Sequence, residues 1–328
     1  MKKSCLLTFI VALASVVSAQ NYFNYTGGAI DWTNVVANYD GITGSAITHT
    51  GVYESKIAGI SKDFTIDTSF SYAGTKNSWD YFLISDNATL TFAKPFTITG
   101  NGVIASMELR GGNVVFKDTV SASGSVQDVG LWLCSYTEKS DYTVAGGKGS
   151  SVEFQKNAYL KYVHVFDNSV IKANGGDVEI EAYALRKTNS SNLGKLVLSG
   201  NDITLKELFV NNADKSGSIY VEFATDSAET ITIGTAGRAN PSPDCIVDFA
   251  FSGMGMGDKI SINKASVALL ESKLLIDGVD VSLLIEEGLI KDMSTDTNFV
   301  YTKIPEPAEW AMFFGVVALG FVIYRRRK

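Results

Sequence analysis

The sequence predicts an all-β passenger, the name used here for residues 20–293 between the two terminal segments. Its strand-like runs are short and rich in β-branched and aromatic residues, and turns containing Gly, Ser and Asn separate them. Glycines in these turns recur with a spacing in the mid-twenties: Gly100, Gly124, Gly147, Gly175 and Gly200. Such a period, with two or three strands per unit, is typical of the stacked coils of a parallel β-helix, or solenoid.

Five runs have the composition expected of strands: NVVFKDTV (113–120), SSVEFQKNAYL (150–160), DVEIEAYAL (177–185), KLVLSGNDITLKELFV (195–210) and SIYVEFA (218–224). The third run shows the clearest alternation. A period of two places Asp177, Glu179 and Glu181 on one face of the strand and three apolar residues on the other. An antiparallel β-sandwich or jelly roll remains the alternative fold, because it also uses many short strands with frequent turns.

The last part of the passenger differs in composition. Residues 258–293 are richer in Leu and less broken by turns, and they predict a capping element built from closing strands or from one or two short helices. Such an element covers the exposed end of a solenoid. Residues 294–303, STDTNFVYTK, predict a polar tether between the passenger and the C-terminal tail.

The charge of the passenger excludes one class of partner. The chain of 328 residues has a formal net charge of −7. Removal of residues 1–19 and 309–328 takes away six cations and one acid, which leaves residues 20–308, the passenger with its tether and sorting motif, near −12. Nucleic-acid affinity depends on cationic contacts with phosphate, so we expect no nucleic-acid partner. The same charge disfavours binding to anionic membrane surfaces.

Two cysteines remain in the passenger, Cys134 and Cys245. In an oxidising compartment they can form one disulfide, and they can equally be two buried thiols, so both states stay open. The sequence has no CxxC pair, which excludes a zinc ribbon and a dithiol redox motif.

Motifs for catalysis or cofactor binding are weak. The chain has only His49 and His164 and no G-x-S-x-G motif, so a serine triad is not predicted. These two histidines and two cysteines are also too few and too distant for a zinc site. GNGVIA (100–105) resembles a dinucleotide-binding loop, but Gly111 and Gly112 follow too soon for the required helix, which favours a β-turn. We predict no catalytic residue, no cofactor and no metal.

The carboxylates of the third run offer the best case for chemistry. Asp177, Glu179 and Glu181 form an acidic ladder that could hold Ca²⁺, and a pair of carboxylates can hydrolyse a glycosidic bond. A solvated strand face is the simpler interpretation. His164 shares its strand face with Tyr162 and Phe166, and we predict a packed or surface side chain.

The N-terminus predicts a secretory signal peptide over residues 1–19. Lys2 and Lys3 form a basic start, residues 5–17 are almost wholly apolar, and the small residues of VSA follow. This order of basic, apolar and small residues predicts cleavage after Ala19.

The C-terminal tail predicts one short transmembrane helix. The apolar run from Trp310 to Tyr324 would form about 22 Å of helix, against a bilayer core of about 30 Å. Four cations end the chain and should stay cytoplasmic as a membrane stop, which places the passenger outside the inner membrane: Arg325, Arg326, Arg327 and Lys328.

The tail as a whole, residues 304–328, resembles the PEP-CTERM sorting tail of Gram-negative bacteria. It has Pro305, Glu306 and Pro307, then a short apolar segment, then the basic terminus. Ile304 stands where members usually have Val. The resemblance implies recognition and cleavage of the tail by an exosortase after passage through the export machinery. The residues agree with this, because proline favours an extended peptide that a protease cleft can bind.

These observations predict an exported, non-enzymatic structural or adhesive protein. It would be held transiently in the inner membrane through residues 310–324 and then delivered to the cell surface or extracellular matrix. The resemblance implies an exopolysaccharide layer as the destination. The alternative is a secreted polysaccharide-degrading enzyme on the same β-helix scaffold, which rests on fold analogy alone.

Overall fold

A computed structural model describes residues 42–48, 54–60, 63–67, 69–73, 78–84, 88–99, 105–125, 129–134, 149–166, 168–186, 192–210, 217–236, 247–266, 273–304, 316, 319 and 322–325. The described chain is mostly β-structure. Its strands are β1 Ile42–Thr48, β2 Glu54–Ile60, β3 Phe64–Ile66, β4 Phe70–Ala73, β5 Ser78–Ile84, β6 Thr89–Phe92, β7 Phe96–Thr99, β8 Ala105–Arg110, β9 Asn113–Phe116, β10 Val120–Ser123, β11 Val129–Cys134, β12 Ser151–Phe154, β13 Ala158–Phe166, β14 Val170–Ala173, β15 Val178–Arg186, β16 Asn192–Leu198, β17 Ile203–Val210, β18 Gly217–Phe223, β19 Thr230–Ala236, β20 Val247–Ser252, β21 Lys259–Asn263, β22 Leu274–Ile276, β23 Val279–Asp280, β24 Ile290–Asp292 and β25 Asn298–Lys303. Helix α1 spans Val281–Glu286.

The strands form two large sheets. Sheet 1 has 15 strands with the main order β1-β2-β5-β8-β11-β13-β15-β17-β19-β21-β25-β24, and sheet 2 has 10 strands in the order β23-β22-β20-β18-β16-β14-β12-β9-β6-β3. From β11 to β22, consecutive strands lie alternately in sheet 1 and sheet 2. Among the described strands the pairing is parallel except at the two ends, where β1–β2, β21–β25, β22–β23 and β24–β25 are antiparallel. The arrangement is β-helix-like, and it does not match the antiparallel pairing of the alternative fold.

The chain returns to equivalent positions in sheet 2 at intervals that vary, from 19 residues between Val152 and Ile171 to 38 residues between Val114 and Val152. Ile171 pairs with Leu196 and Leu196 pairs with Val221, so these two successive turns of chain have the same length. The turn from Val152 to Ile171 is shorter. Because successive turns stack on each other, each buries the apolar face of its neighbour.

Sheet 1 has a second row of strands at its N-terminal half. Strands β4, β7 and β10 pair in parallel, and this row continues into the start of β13, where Val120 pairs with Ala158. The end of β13 continues the row of β5, β8 and β11, since Trp132 pairs with His164. From β13 onward, one long strand therefore serves both rows.

A continuous apolar core lies between the two sheets, and phenylalanines fill its N-terminal part. Phe116 stacks on Phe92 and on Phe154 with ring-centroid distances of 4.9 and 5.2 Å. Phe70 stacks on Phe96 at 5.2 Å. Aromatic pairs of this kind contribute about 0.5–1.5 kcal/mol beyond the burial of their area. The next residue in register after Phe154 is Ala173, and from there the column is mainly aliphatic.

Several sequence predictions are confirmed in the described residues. The run 177–185 is β15, with Val178, Ile180 and Ala182 buried and the acids more exposed. Gly124, Gly175 and Gly200 lie at turns with positive φ. The runs 150–160 and 195–210 each contain a corner, so each contributes two strands instead of one.

The C-terminal cap, residues 274–304, differs from its prediction in extent. Closing strands and one short helix are present, as expected for a capping element. The predicted tether of residues 294–303 is instead largely folded, because Asn298–Lys303 is β25 and pairs with both β21 and β24. Edge strand β24 is very short and carries exposed Lys291 and Asp292, features that discourage pairing with a further strand.

The terminal segments fall largely outside the described residues. Neither the signal peptide nor Pro305–Pro307 is among them. Residues 316, 319 and 322–325 are helical and exposed. No helix within the described part of the chain is long and apolar enough to cross a membrane. The transmembrane helix over 310–324 stays a prediction.

Candidate functional site: two outward rows on sheet 1

The outward face of sheet 1 carries a buried row of polar and aromatic side chains. We call it the covered row: Glu108, Arg110, Trp132, His164 and Phe166. These residues alternate with core residues of β8, β11 and β13 and point away from the core. Trp132 is half-buried, and the other four are at most 2% exposed. A charged pair and an imidazole on an outer face would normally lie in water, so their burial marks an unusual environment.

An ion pair occupies one end of the covered row. Arg110 donates to Glu108 Oε2 from Nε at 2.8 Å and from Nη2 at 2.6 Å. Residues two apart on a strand lie on the same face, so both side chains lean along β8 toward each other. Removal of one partner from a buried ion pair strongly destabilises the folded protein, because the remaining buried charge loses the partner that compensates it.

Aromatic rings occupy the other end of the covered row. The His164 ring lies 4.2 Å from the Trp132 ring in an edge-on arrangement and 4.9 Å from the Phe166 ring, centroid to centroid. Tyr162 also contacts His164, at 5.8 Å. The predicted grouping of Tyr162, His164 and Phe166 on one face is confirmed, and His164 is a packed residue.

The covered row brings a carboxylate and an imidazole to the same register position. Glu108 pairs with Trp132 and Trp132 with His164 across β8, β11 and β13. Two strand spacings separate Glu108 from His164, or about 10 Å, and the Trp132 indole lies between them. That separation is too long for a direct proton transfer between the two side chains, so any joint chemistry would need a substrate or water between them.

A second row on sheet 1 is solvated and alternates in charge. We call it the ionic row: Tyr159, Lys161, Glu179, Glu181 and Lys206. Lys161 Nζ lies 2.9 Å from Glu181 Oε1, and Tyr159 donates a hydrogen bond to the same oxygen. Lys206 Nζ lies 2.5 Å from Glu179 Oε1. Both ammonium groups also lie over the Tyr159 ring, at 5.2 and 5.6 Å from its centroid.

The contacts of the ionic row favour the charged forms of Glu181, Lys161 and Lys206. Partial burial raises the pKa of Glu181, but hydrogen bonds from Tyr159 and Lys161 outweigh it and the net pKa is lowered. The hydrogen bonds to Tyr159 and Glu181 raise the pKa of Lys161, and the bond to Glu179 raises that of Lys206. Two members of the predicted acidic ladder, Glu179 and Glu181, are therefore joined to lysines in cross-strand ion pairs, which disfavours their use as Ca²⁺ ligands.

Asp177 belongs to a different structure, a ladder of turn residues. Each member directly precedes a strand of sheet 1: Asn157, Asp177, Asp202, Glu229 and Asp258. The Asn157 side-chain oxygen accepts from Asp177 N at 3.2 Å, and that of Asp177 accepts from Asp202 N at 3.2 Å. The carboxylates thus satisfy backbone donors of the adjacent turn, which pins successive turns together.

Glu229 is the exceptional member of this turn ladder. It is fully buried, and its Oε1 accepts hydrogen bonds from Gly200 N and Thr225 Oγ1. Its backbone N donates to Asp258 Oδ1 at 2.9 Å. Its Oε2 is buried without a hydrogen-bond partner in the described residues. Burial, reinforced by the negative charges of Asp258 and Asp202, raises the pKa of Glu229.

The remaining predicted residues are only partly described. Cys134 lies in β11 opposite Arg110, but its side chain and Cys245 are outside the described set, so both thiol states stay open. His49 and Ala19 lie outside it as well. Arg325 is helical and exposed, whereas Arg326, Arg327 and Lys328 are not described. Over the described ranges, no group of three His, Cys, Asp or Glu residues could hold a metal ion.

Sequence reasoning missed both Glu108–Arg110 and Glu229. The local sequence Glu-Leu-Arg at 108–110 does not indicate that the outward-pointing side chains of Glu108 and Arg110 are buried. The turn ladder did leave a signal, because an Asn, Asp or Glu precedes each sheet 1 strand from β13 to β21, at intervals that stay in the twenties.

Comparison of the chain with protein-family models, with curated proteins and with solved structures finds no match.

Proposed function

We propose that the chain is an exported surface or extracellular-matrix protein with a structural or adhesive role. Its passenger would be a parallel β-helix whose stacked turns form a stiff acidic body. The PEP-CTERM-like tail would deliver it: Pro305, Glu306 and Pro307 would be recognised by an exosortase, and Arg325–Lys328 would hold the tail from the cytoplasmic side until cleavage.

The neutralised acids of β15 are the observation that supports a structural role. Asp177 accepts from a backbone amide, Glu179 pairs with Lys206, and Glu181 pairs with Lys161. A hydrolytic pair needs two carboxylates free to face one bond, whereas these carboxylates join neighbouring turns. The ionic row therefore favours mechanical cohesion of the solenoid over catalysis.

The test of the structural role is incubation of the purified, folded passenger with a panel of glycans. We expect binding or no interaction, without release of sugar, because the carboxylates are engaged in pairs. Release of reducing ends, abolished in a Glu108→Gln variant, would instead establish a glycan-cleaving enzyme.

The covered row supports that second candidate. An Arg-supported carboxylate, a tryptophan and a histidine in one register row have the residue types used to hold and cleave polysaccharide. The row is buried, so this candidate requires that it open toward a substrate. Soluble oligosaccharides should then perturb Trp132 fluorescence, and a Trp132→Phe variant should lose that signal.

Processing is tested separately, by the intact mass of the surface form. We expect a protein that lacks residues 1–19 and most of residues 308–328. Retention of Arg325–Lys328 in the surface form would show that the tail is a plain membrane anchor. A Glu306→Ala variant should accumulate in the inner membrane if the motif is recognised, and unchanged sorting of this variant would contradict recognition.

A further inference from the structure

The C-terminal cap holds the chain up to the residue before the Pro-Glu-Pro motif. Strand β25 lies between β21 and β24, with Lys259 opposite Thr302 on one side and Ile290 opposite Lys303 on the other. Both of its edges are therefore hydrogen-bonded near its C-terminal end. A strand paired on both sides can enter a protease cleft only after the cap opens locally.

Contacts made by residues of β25 and by Ile304 further stabilise the position of this strand in the cap. Tyr301 is 5% exposed and belongs to the apolar core, and Phe299 packs beside it with a ring-centroid distance of 6.1 Å. Thr302 Oγ1 donates to Asp258 O at 2.8 Å. Ile304 N donates to Leu289 O at 2.9 Å, which carries the hydrogen bonding of the cap to the residue directly before Pro305.

We infer that the cap sets the passenger-side limit of tail processing at Ile304. Proteases commonly bind substrates as extended strands through backbone hydrogen bonds, and those groups are already used in β25. The scissile bond then lies C-terminal of Ile304, and the processing enzyme draws its specificity from Pro305–Pro307 and the residues beyond. The identity of that enzyme rests on the proposed function, whereas the protected boundary is a property of the folded cap.

The first experiment tests the boundary without any sorting enzyme. The full chain in detergent is treated with proteinase K, and the C-termini of the fragments are read by intact mass. We expect no cleavage between Asn298 and Ile304. Cleavage inside that range in the folded protein would overturn the inference.

Variants of the cap make the same experiment quantitative. Cleavage inside a folded segment follows the population of its open form. Tyr301→Ala should therefore speed cleavage within Asn298–Ile304 by on the order of a hundredfold. Thr302→Val removes one side-chain hydrogen bond and should give a smaller increase in the cleavage rate. This milder variant keeps the test available if Tyr301→Ala does not fold. Asp296→Ala, at an exposed turn residue, is the matched control and should change nothing. Equal rates in all these variants would overturn the inference.

The second experiment uses cells that process the tail. A surface form ending at or after Ile304 supports the boundary. A form ending within Asn298–Lys303 overturns it and leaves tail processing intact. A surface form that still ends at Lys328 contradicts the proposed processing instead, and the proteinase K experiment then decides the boundary alone.

Discussion

The covered row and the ionic row lie on the same sheet and both point away from the core, yet their charged side chains differ in burial. In the covered row Glu108 and Arg110 are 1% and 2% exposed. In the ionic row the paired side chains are from 18% to 49% exposed. The residue types are similar, but the covered row follows strands β8 and β11 into the end of β13, whereas the ionic row lies in the first half of β13, β15 and β17, so the difference lies in the environment.

This difference determines what each row contributes. An exposed ion pair is screened by water and is worth about 0–1 kcal/mol, so the ionic row can tolerate substitution. A buried ion pair adds little stability compared with a pair of apolar residues of similar size. Removal of one charged partner alone, however, strongly lowers the free energy of unfolding. The covered row is therefore the part of the outer surface in which a single substitution should do the most damage.

The largest effect is expected when the covered row is broken at Arg110. Arg110→Met should lower the free energy of unfolding by about 3–5 kcal/mol, because the buried Glu108 carboxylate loses the charge and the two hydrogen bonds that Arg110 supplies. The Glu108→Leu/Arg110→Met double variant should be less destabilised than Arg110→Met alone. Urea denaturation of both variants measures this. A double variant at least as unstable as the single one would show that burial of the charge is not the cause.

An intermediate effect is expected at Glu229 of the turn ladder, which is buried like the covered row but lacks a cation. Below the ordinary pKa of 4.5 both the folded and unfolded states are protonated. Above it the unfolded state loses its proton first, because burial and the charges of Asp258 and Asp202 raise the folded pKa. The free energy of unfolding contributed by Glu229 therefore falls as pH rises through that window.

Glu229→Gln should remove this pH dependence. The amide keeps an acceptor for Gly200 and Thr225 and brings no charge, so the variant should be more stable than the wild type at pH 7. At pH 4 the two proteins should unfold at similar temperatures. Thermal unfolding from pH 4 to pH 7.5 measures this, with Asp226→Asn at an exposed neighbouring residue as control. A variant less stable than wild type at pH 7 would show that the carboxylate is the stabilising form.

The smallest effect is expected in the ionic row. Glu181→Gln should cost at most about 1 kcal/mol, and the loss should shrink in concentrated salt because exposed charges are screened. The same salt should leave the Arg110→Met loss nearly unchanged. Denaturation of both variants at low and high salt measures this. A salt-independent loss for Glu181→Gln would mean that this row is effectively buried, and the contrast between the two rows would disappear.

The sequence predicted most where one local pattern decides the structure. Alternation identified β15 because it is a property of a few adjacent residues. The turns at Gly124, Gly175 and Gly200 were also placed correctly, but the lengths of the coils vary more than the glycine spacing predicted. The corner inside 150–160 was missed, since FQKN differs little from strand composition, whereas Gly200 in SGND marked the corner inside 195–210. The tether was wrong for residues 298–303, because polar residues in a closing strand look like a linker until their pairing partners are known. Burial of Glu108 and Arg110 depends on tertiary contacts that no local pattern records.

The parallel stacking of successive turns has a consequence for how the length of this protein can evolve. Each turn touches mainly the turn before and the turn after it, so duplication or deletion of one whole turn would leave the two neighbours still matched. The short turn between Val152 and Ile171 shows that a reduced unit is tolerated. The number of turns can thus change in whole units without disturbing the rest of the stack.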